Sequence, residues 1–119
     1  MTSEQEPEFR RWIRNVLSRL SWDADRQLEH VRSLRVDVDE LALEFDDALH
    51  LAQAKVHEGL LSREAYEALL PVDAKLSRMT EHGAELWTEE AVATAPAWQE
   101  LRTLARRAHL NFSACTPTG

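Results

Sequence analysis

Phe9, Trp12, Ile13, Val16, Leu17 and Leu20 recur at offsets of 0, 3, 4, 7, 8 and 11. That spacing is one face of an α-helix. A stripe of this kind has to be covered by another element, so the chain is expected to pack helix on helix. The segment is read as Glu6 to Leu20, with Pro7 in a first turn where a missing N–H costs nothing. Trp12 is assigned to the core. Arg10, Arg11, Arg14 and Arg19 fall off the stripe and are assigned to the solvated side.

The same reading carries through the chain. Ser21 is expected to cap a helix from Trp22 to Arg35, with Asp23 in its first turn and Leu28 and Val31 on its inner face. Val36-Asp37-Val38-Asp39 has no helical character and admits a short extended piece. Asp37 or Asp39 is then expected to cap a helix to about Glu58, whose stripe is Leu41, Phe45, Ala48, Leu49, Ala52 and Val56. Leu43 and Leu51 lie partly off this stripe and suggest a central helix in contact on two sides. Gly59 supplies the left-handed residue that ends it.

Ser62 is an N-cap, with Leu61 before it and Tyr66 four residues after it, a hydrophobic staple. The stripe Ala65, Leu69, Val72, Leu76 and Met79 runs through Pro71, so this helix either kinks there or stops near Leu70 and restarts. Gly83 marks its end region. Thr88 repeats the staple with Trp87 and Val92 and opens a short helix to Thr94. Pro96 opens the last helix, with Trp98, Leu101, Leu104, Ala105, Ala108 and Phe112 inward and Arg102, Arg106 and Arg107 outward. The fold class is therefore all-α: one helical bundle of about five helices over residues 1–112, the fourth kinked or broken at Pro71, with a frayed tail over 113–119.

Composition agrees with this architecture. A chain of 119 residues is long enough for one core, and 3 Gly with 4 Pro leave little room for a loop-rich β-sandwich. No apolar run approaches the roughly 20 residues that cross a bilayer, so no membrane partner is expected. Met1 to Arg14 is polar and then amphipathic, without the apolar stretch of a secretory signal, and Cys115 is the single cysteine. The cytoplasm is the expected compartment. Charge is divided unevenly: residues 36–100 carry fifteen acids against four cations, whereas residues 101–119 carry three arginines and no acid. The acidic middle would repel phosphate, so nucleic acid is not the expected partner.

The stretch Glu58-Gly59-Leu60-Leu61-Ser62-Arg63-Glu64-Ala65-Tyr66-Glu67 resembles the helix–Gly–apolar–cap–helix linker of many small bacterial domains, including the SHOCT type. The resemblance covers ten residues. Capping chemistry accounts for all of them, so it implies no function. A helix-turn-helix reading fails on charge, since Glu64 and Glu67 would face the nucleic acid.

The acidic cluster is the strongest chemical feature. Asp37, Asp39, Glu40, Glu44, Asp46 and Asp47 place six carboxylates within eleven residues, and Glu40, Glu44 and Asp47 share one helix face. Like charges so spaced cost a helix a few tenths of a kcal/mol per pair. A basic partner would offset that cost and be steered to the face. Trp22 and Trp87 sit beside caps, where they serve as staples or as anchors for a partner. The expected partner-binding residues are thus Asp37, Asp39, Glu40, Glu44, Asp47, Trp22 and Trp87. Self-association is left open.

The alternative is a small-molecule or metal-binding bundle. Asp46 or Asp47 with His50 and His57 is the weak candidate for a metal, and a pocket lined by Trp and Met79 for an apolar ligand. Di-iron bundles use Glu-x-x-His, which is absent here. There is no Gly-x-Ser-x-Gly and no Gly-rich phosphate loop. Neither catalysis nor a cofactor is expected, and the leading expectation is a non-catalytic module that binds a basic protein through an acidic face, by analogy with immunity-type or regulatory proteins.

Overall fold

The structure is a computed structural model that describes residues 6–115. These form an all-α bundle with no strand among the described residues. Five helices have eleven residues or more: α1 (Glu8–Ser21), α2 (Ala24–Leu34), α3 (Glu40–His57), α5 (Leu70–His82) and α7 (Pro96–Ala114). Two are short, α4 (Arg63–Glu67) and α6 (Glu89–Thr94), and a 3-10 turn at Ala84–Leu86 follows α5.

α1 lies at the centre, between α3 and α7. Its stripe Ile13, Val16, Leu17 and Leu20 is at most 1% exposed. The start of α1 meets the end of α7, since Arg10 Nη2 donates to the carbonyls of Phe112 (3.2 Å) and Cys115 (2.9 Å). The two helices are therefore antiparallel. α5 packs on both α3 and α7, and α2 packs on α6. Alanines at the interior faces, Ala48 and Ala52 on α3 and Ala105 and Ala108 on α7, are fully buried. Short side chains there let the axes approach closely.

Local signals worked where a cap was specified by chemistry. The Ser62 hydroxyl accepts from the Ala65 amide and the Thr88 hydroxyl from the Ala91 amide, both at 3.1 Å. Gly59 takes φ +79° after α3, a conformation that costs L-residues energy and glycine none. α4 ends at Glu67, and Pro71 falls in the first turn of α5. The segment is thus broken rather than kinked, because a proline ring fits an N-terminal turn but not a helix interior.

Several expectations are corrected. Ser21 does not cap α2; it is the last residue of α1, and the Asp23 side chain accepts from the Arg26 amide at 2.9 Å. Asp39 occupies the N-cap position of α3, as one of the two expected residues, but its side chain makes no capping hydrogen bond. The chain enters α3 through a turn at Val38 and Asp39, not an extended piece, and the backbone carbonyls of Asp37, Val38 and Asp39 take the amides of Glu40, Leu41 and Ala42. With those amides satisfied by backbone, a capping carboxylate has nothing left to accept. α7 continues to Ala114, beyond the expected end at Phe112, because Arg10 holds carbonyls of its final turn. The remainder of the expected tail, 116–119, lies outside the described residues.

Trp12 is 36% exposed and not a core residue. It precedes Ile13 by one position, so it sits about 100° around the helix from the stripe's centre. α3 does pack on several neighbours, α1, α4 and α5, but Leu43 is 53% exposed and takes no part in the core. Arg10 and Arg102, both assigned to solvent, are buried. Arg10 closes the end of α7 and lies 4.6 Å from the Phe112 ring centroid. Arg102 joins a network with Gln27, which is fully buried. Arg102 Nε donates to Gln27 Oε1 at 2.9 Å, and its Nη2 donates to the Val92 carbonyl. Gln27 Nε2 in turn donates to the carbonyls of Arg19 and Leu20 at 3.0 Å each. Side chains from one helix thus satisfy the orphan C-terminal carbonyls of another.

His109 sits half-buried on α7, and burial first, then the Arg14 charge, holds its pKa below the ordinary 6.5. The unfolded chain therefore binds this proton more readily than the native one. Stability from His109 is complete above pH 6.5 and is lost as pH falls toward the depressed native value. Urea midpoints measured from about pH 7 down to about pH 5 should fall for the natural chain and fall less for His109→Gln. Equal slopes would show that His109 is not the group responsible.

Candidate functional site

The expected binding residues do not form one patch. Asp37 and Asp39, exposed on the connection into α3, meet Trp87 and Glu89 around a cleft of about 250 Å³. The α6 wall of this cleft is well anchored. Trp87 packs edge-on against Trp98 with centroids 5.6 Å apart, and Trp98 Nε1 donates to the Leu86 carbonyl at 2.7 Å. Glu89 is engaged by Arg32 at 2.7 Å, a pair exposed on both sides.

Glu40, Glu44 and Asp47 do not make a free acidic face. Glu44 accepts from Arg19 Nε of α1 at 3.1 Å, and both side chains are largely covered. Glu40 is half-buried, and Asp47 alone of the three is exposed. This flank of α3 is turned toward α1, where the arginine relieves the like-charge repulsion. Trp22 belongs elsewhere. Its ring stacks under the Arg26 guanidinium at 4.0 Å and edge-on to His30 at 5.5 Å. It stands before α2 and Asp37 stands after it, so the rise of an eleven-residue helix, about 16 Å, separates them.

The opposite flank of α3 carries the acidic surface that helix-face reading does not find. α3 and α5 enclose a groove of about 400 Å³ with Phe45 and Leu76 at its floor, Leu43 exposed at its edge, and Asp46, Asp73 and Glu81 among its lining. No lysine or arginine lines it. Asp73, Ser77, Thr80 and Glu81 fall at offsets of 0, 4, 7 and 8, so the polar face of α5 was visible as a pattern. That this face lies beside Leu43 and Asp46 is a consequence of packing. The cations of α5 go the other way: Lys75 pairs with Glu100 of α7, and Arg78 lines the opposite side with Gln99 and Thr103.

A second groove, about 560 Å³, runs between α3 and α4 and is lined by His50, Gln53, His57, Glu58, Arg63 and Tyr66. His50 Nδ1 lies 2.9 Å from the Asp46 carbonyl and 3.5 Å from its carboxylate. The expected metal set does not assemble. His50 and His57 are two turns apart, about 10.5 Å along the axis, and among the described residues no three His, Cys, Asp or Glu side chains are placed to hold a metal ion. Met79 and Trp98 are buried in the core, and Met79 lines none of these grooves. Among the described residues no helix is long and apolar enough to cross a membrane. Set beside known protein families, curated proteins and solved structures, the chain matches none.

Proposed function

We propose that this protein is a non-catalytic interaction module that captures a basic protein partner through the acidic surface around the N-terminal half of α3. The observation that carries the reading is Leu43. It is 53% exposed and stands opposite the buried stripe of α3, with Asp39, Asp46 and Asp47 exposed around it. An apolar side chain ringed by carboxylates has the composition of a small binding spot: apolar contact gives affinity, and charge selects the partner and speeds encounter. Fifteen acids against four cations in residues 36–100 extend the same field over the surrounding surface.

The test places a photo-crosslinking phenylalanine analogue at Leu43 in the full chain, expressed in cells that normally make it. One discrete cross-linked product is expected, reduced about tenfold when Asp39, Asp46 and Asp47 are changed to Lys, equivalent to about 1.4 kcal/mol. An analogue at Leu110, which is 66% exposed on α7, should give no such product. Equal yields from charge-reversed and natural chains would remove this face from the function.

A second reading, small-molecule binding, draws on the α3–α4 groove with its imidazoles, Tyr66 and Arg63. It predicts a ligand whose contact shifts His50 and His57 ring signals while leaving the α3–α5 groove unchanged.

A further inference from the structure

We propose that the α3–α5 groove is a seat for one amphipathic, basic helix of the partner protein; this rests on the interaction reading above and specifies its geometry. Two packed helices leave between them a furrow that a third helix fills by ordinary ridge-in-groove packing. Here the furrow holds about 400 Å³, with Leu43 standing exposed at its edge and Phe45 and Leu76 beneath. Apolar side chains of a visiting helix at i, i+3, i+4 and i+7 meet that floor.

Charge selects the visitor. Carboxylates stand on both walls, Asp46 on α3 and Asp73 and Glu81 on α5, and no lysine or arginine lines the groove. The two cations of α5 are directed to the α7 side instead, where Lys75 pairs with Glu100. α5 is therefore divided lengthwise into an acidic flank at the groove and a basic flank away from it. Asp73 and Glu81 are eight residues apart, a rise of about 12 Å. A partner helix alongside α5 spans the same distance with Lys or Arg at i and i+7 or i+8. The occupant is thus a helix with an apolar stripe and two cations about two turns apart on one border.

Three synthetic helical peptides test this against the full-length protein by fluorescence anisotropy and amide-shift mapping. The first carries the leucine stripe with Lys at i and i+7. The second has Glu in place of Lys. The third has the first peptide's composition with the leucines spread around the helix. The first should bind and move the amides of Leu43, Asp46, Asp73, Ser77 and Glu81, and the other two should bind at least tenfold more weakly. Leu43→Glu, and separately Asp73→Lys with Glu81→Lys, should each weaken the first peptide at least tenfold. The neutral pair Asp73→Asn with Glu81→Gln serves if the charge reversal unfolds the chain. The proposal is overturned if the first peptide binds no tighter than the third, or if its shifts centre on another surface. It is also overturned if sedimentation shows a dimer that Leu43→Glu dissociates, which would assign the groove to a second copy. Charge-dependent cross-linking from position 43 that persists while the first peptide fails overturns the helix seat alone and leaves the broader acidic face standing.

Discussion

Trp98→Ala is expected to destabilise the fold by about 3–5 kcal/mol, the range for emptying a large aromatic site in a packed core. Trp98 is fully buried, is the largest such side chain, and touches two parts of the chain at once. Its ring meets that of Trp87 in a T-shaped pair, and its indole N–H holds the Leu86 carbonyl at 2.7 Å. Removing it opens a cavity beneath the 3-10 turn and frees that carbonyl. Since domains of this size are stable by only about 5–15 kcal/mol, the variant should lose a large share of its stability. Urea denaturation followed by circular dichroism measures the loss. A change below about 1.5 kcal/mol would place Trp98 outside the core. Trp98→Phe should lose less, because the packing is largely kept and one acceptor is left unpaired, at about 1–3 kcal/mol.

Arg102→Met is the second large effect, at about 2–5 kcal/mol, and it comes from polar groups and not from volume. Methionine replaces the apolar stem well. It leaves Gln27 Oε1 and the Val92 carbonyl, both bonded to Arg102 in the native fold, without a donor. Burial pushes the Arg102 pKa down while the charge of Asp23 opposes the shift, and the guanidinium stays charged at any ordinary pH. Its hydrogen-bonding partners among the described residues, Gln27, Gln99 and Val92, are all neutral. A double variant Gln27→Met with Arg102→Met should cost less than the two single changes added, because they share one hydrogen bond. Strict additivity would refute the idea that these residues act as one network joining α1, α2, α6 and α7.

Both sites illustrate how much of this protein was readable from residue order. Trp98 was assigned correctly because it lies on the stripe continued by Leu101, Ala105, Ala108 and Phe112, all buried. The same rule fails for Trp12, which is 36% exposed. Its spacing allowed it onto the edge of a stripe, and the width of the buried arc is set by the neighbouring helices. Among the candidate binding residues, Asp37, Asp39 and Trp87 do come together, although fifty residues separate them in the chain. Glu44 does not stay free, because Arg19 of α1 claims it. Residue order does not mark Asp73 and Glu81 as a site; packing sets them beside Leu43.

Residue order by itself determined the all-α class, the caps at Ser62 and Thr88, an interruption at Pro71 that could be a kink or a break, the left-handed exit at Gly59 and most of the buried stripe. These are settled within one or two helical turns, where spacing and backbone chemistry act directly. Tertiary structure alone decided which charges are buried, which are paired and which are left exposed. Arg10 reaches a carbonyl 102 positions away, and Arg102 finds Gln27 at a separation of 75. A guanidinium or a carboxylate is stable buried or exposed according to what stands within about 3 Å of it, and that neighbour is known only once the helices have packed.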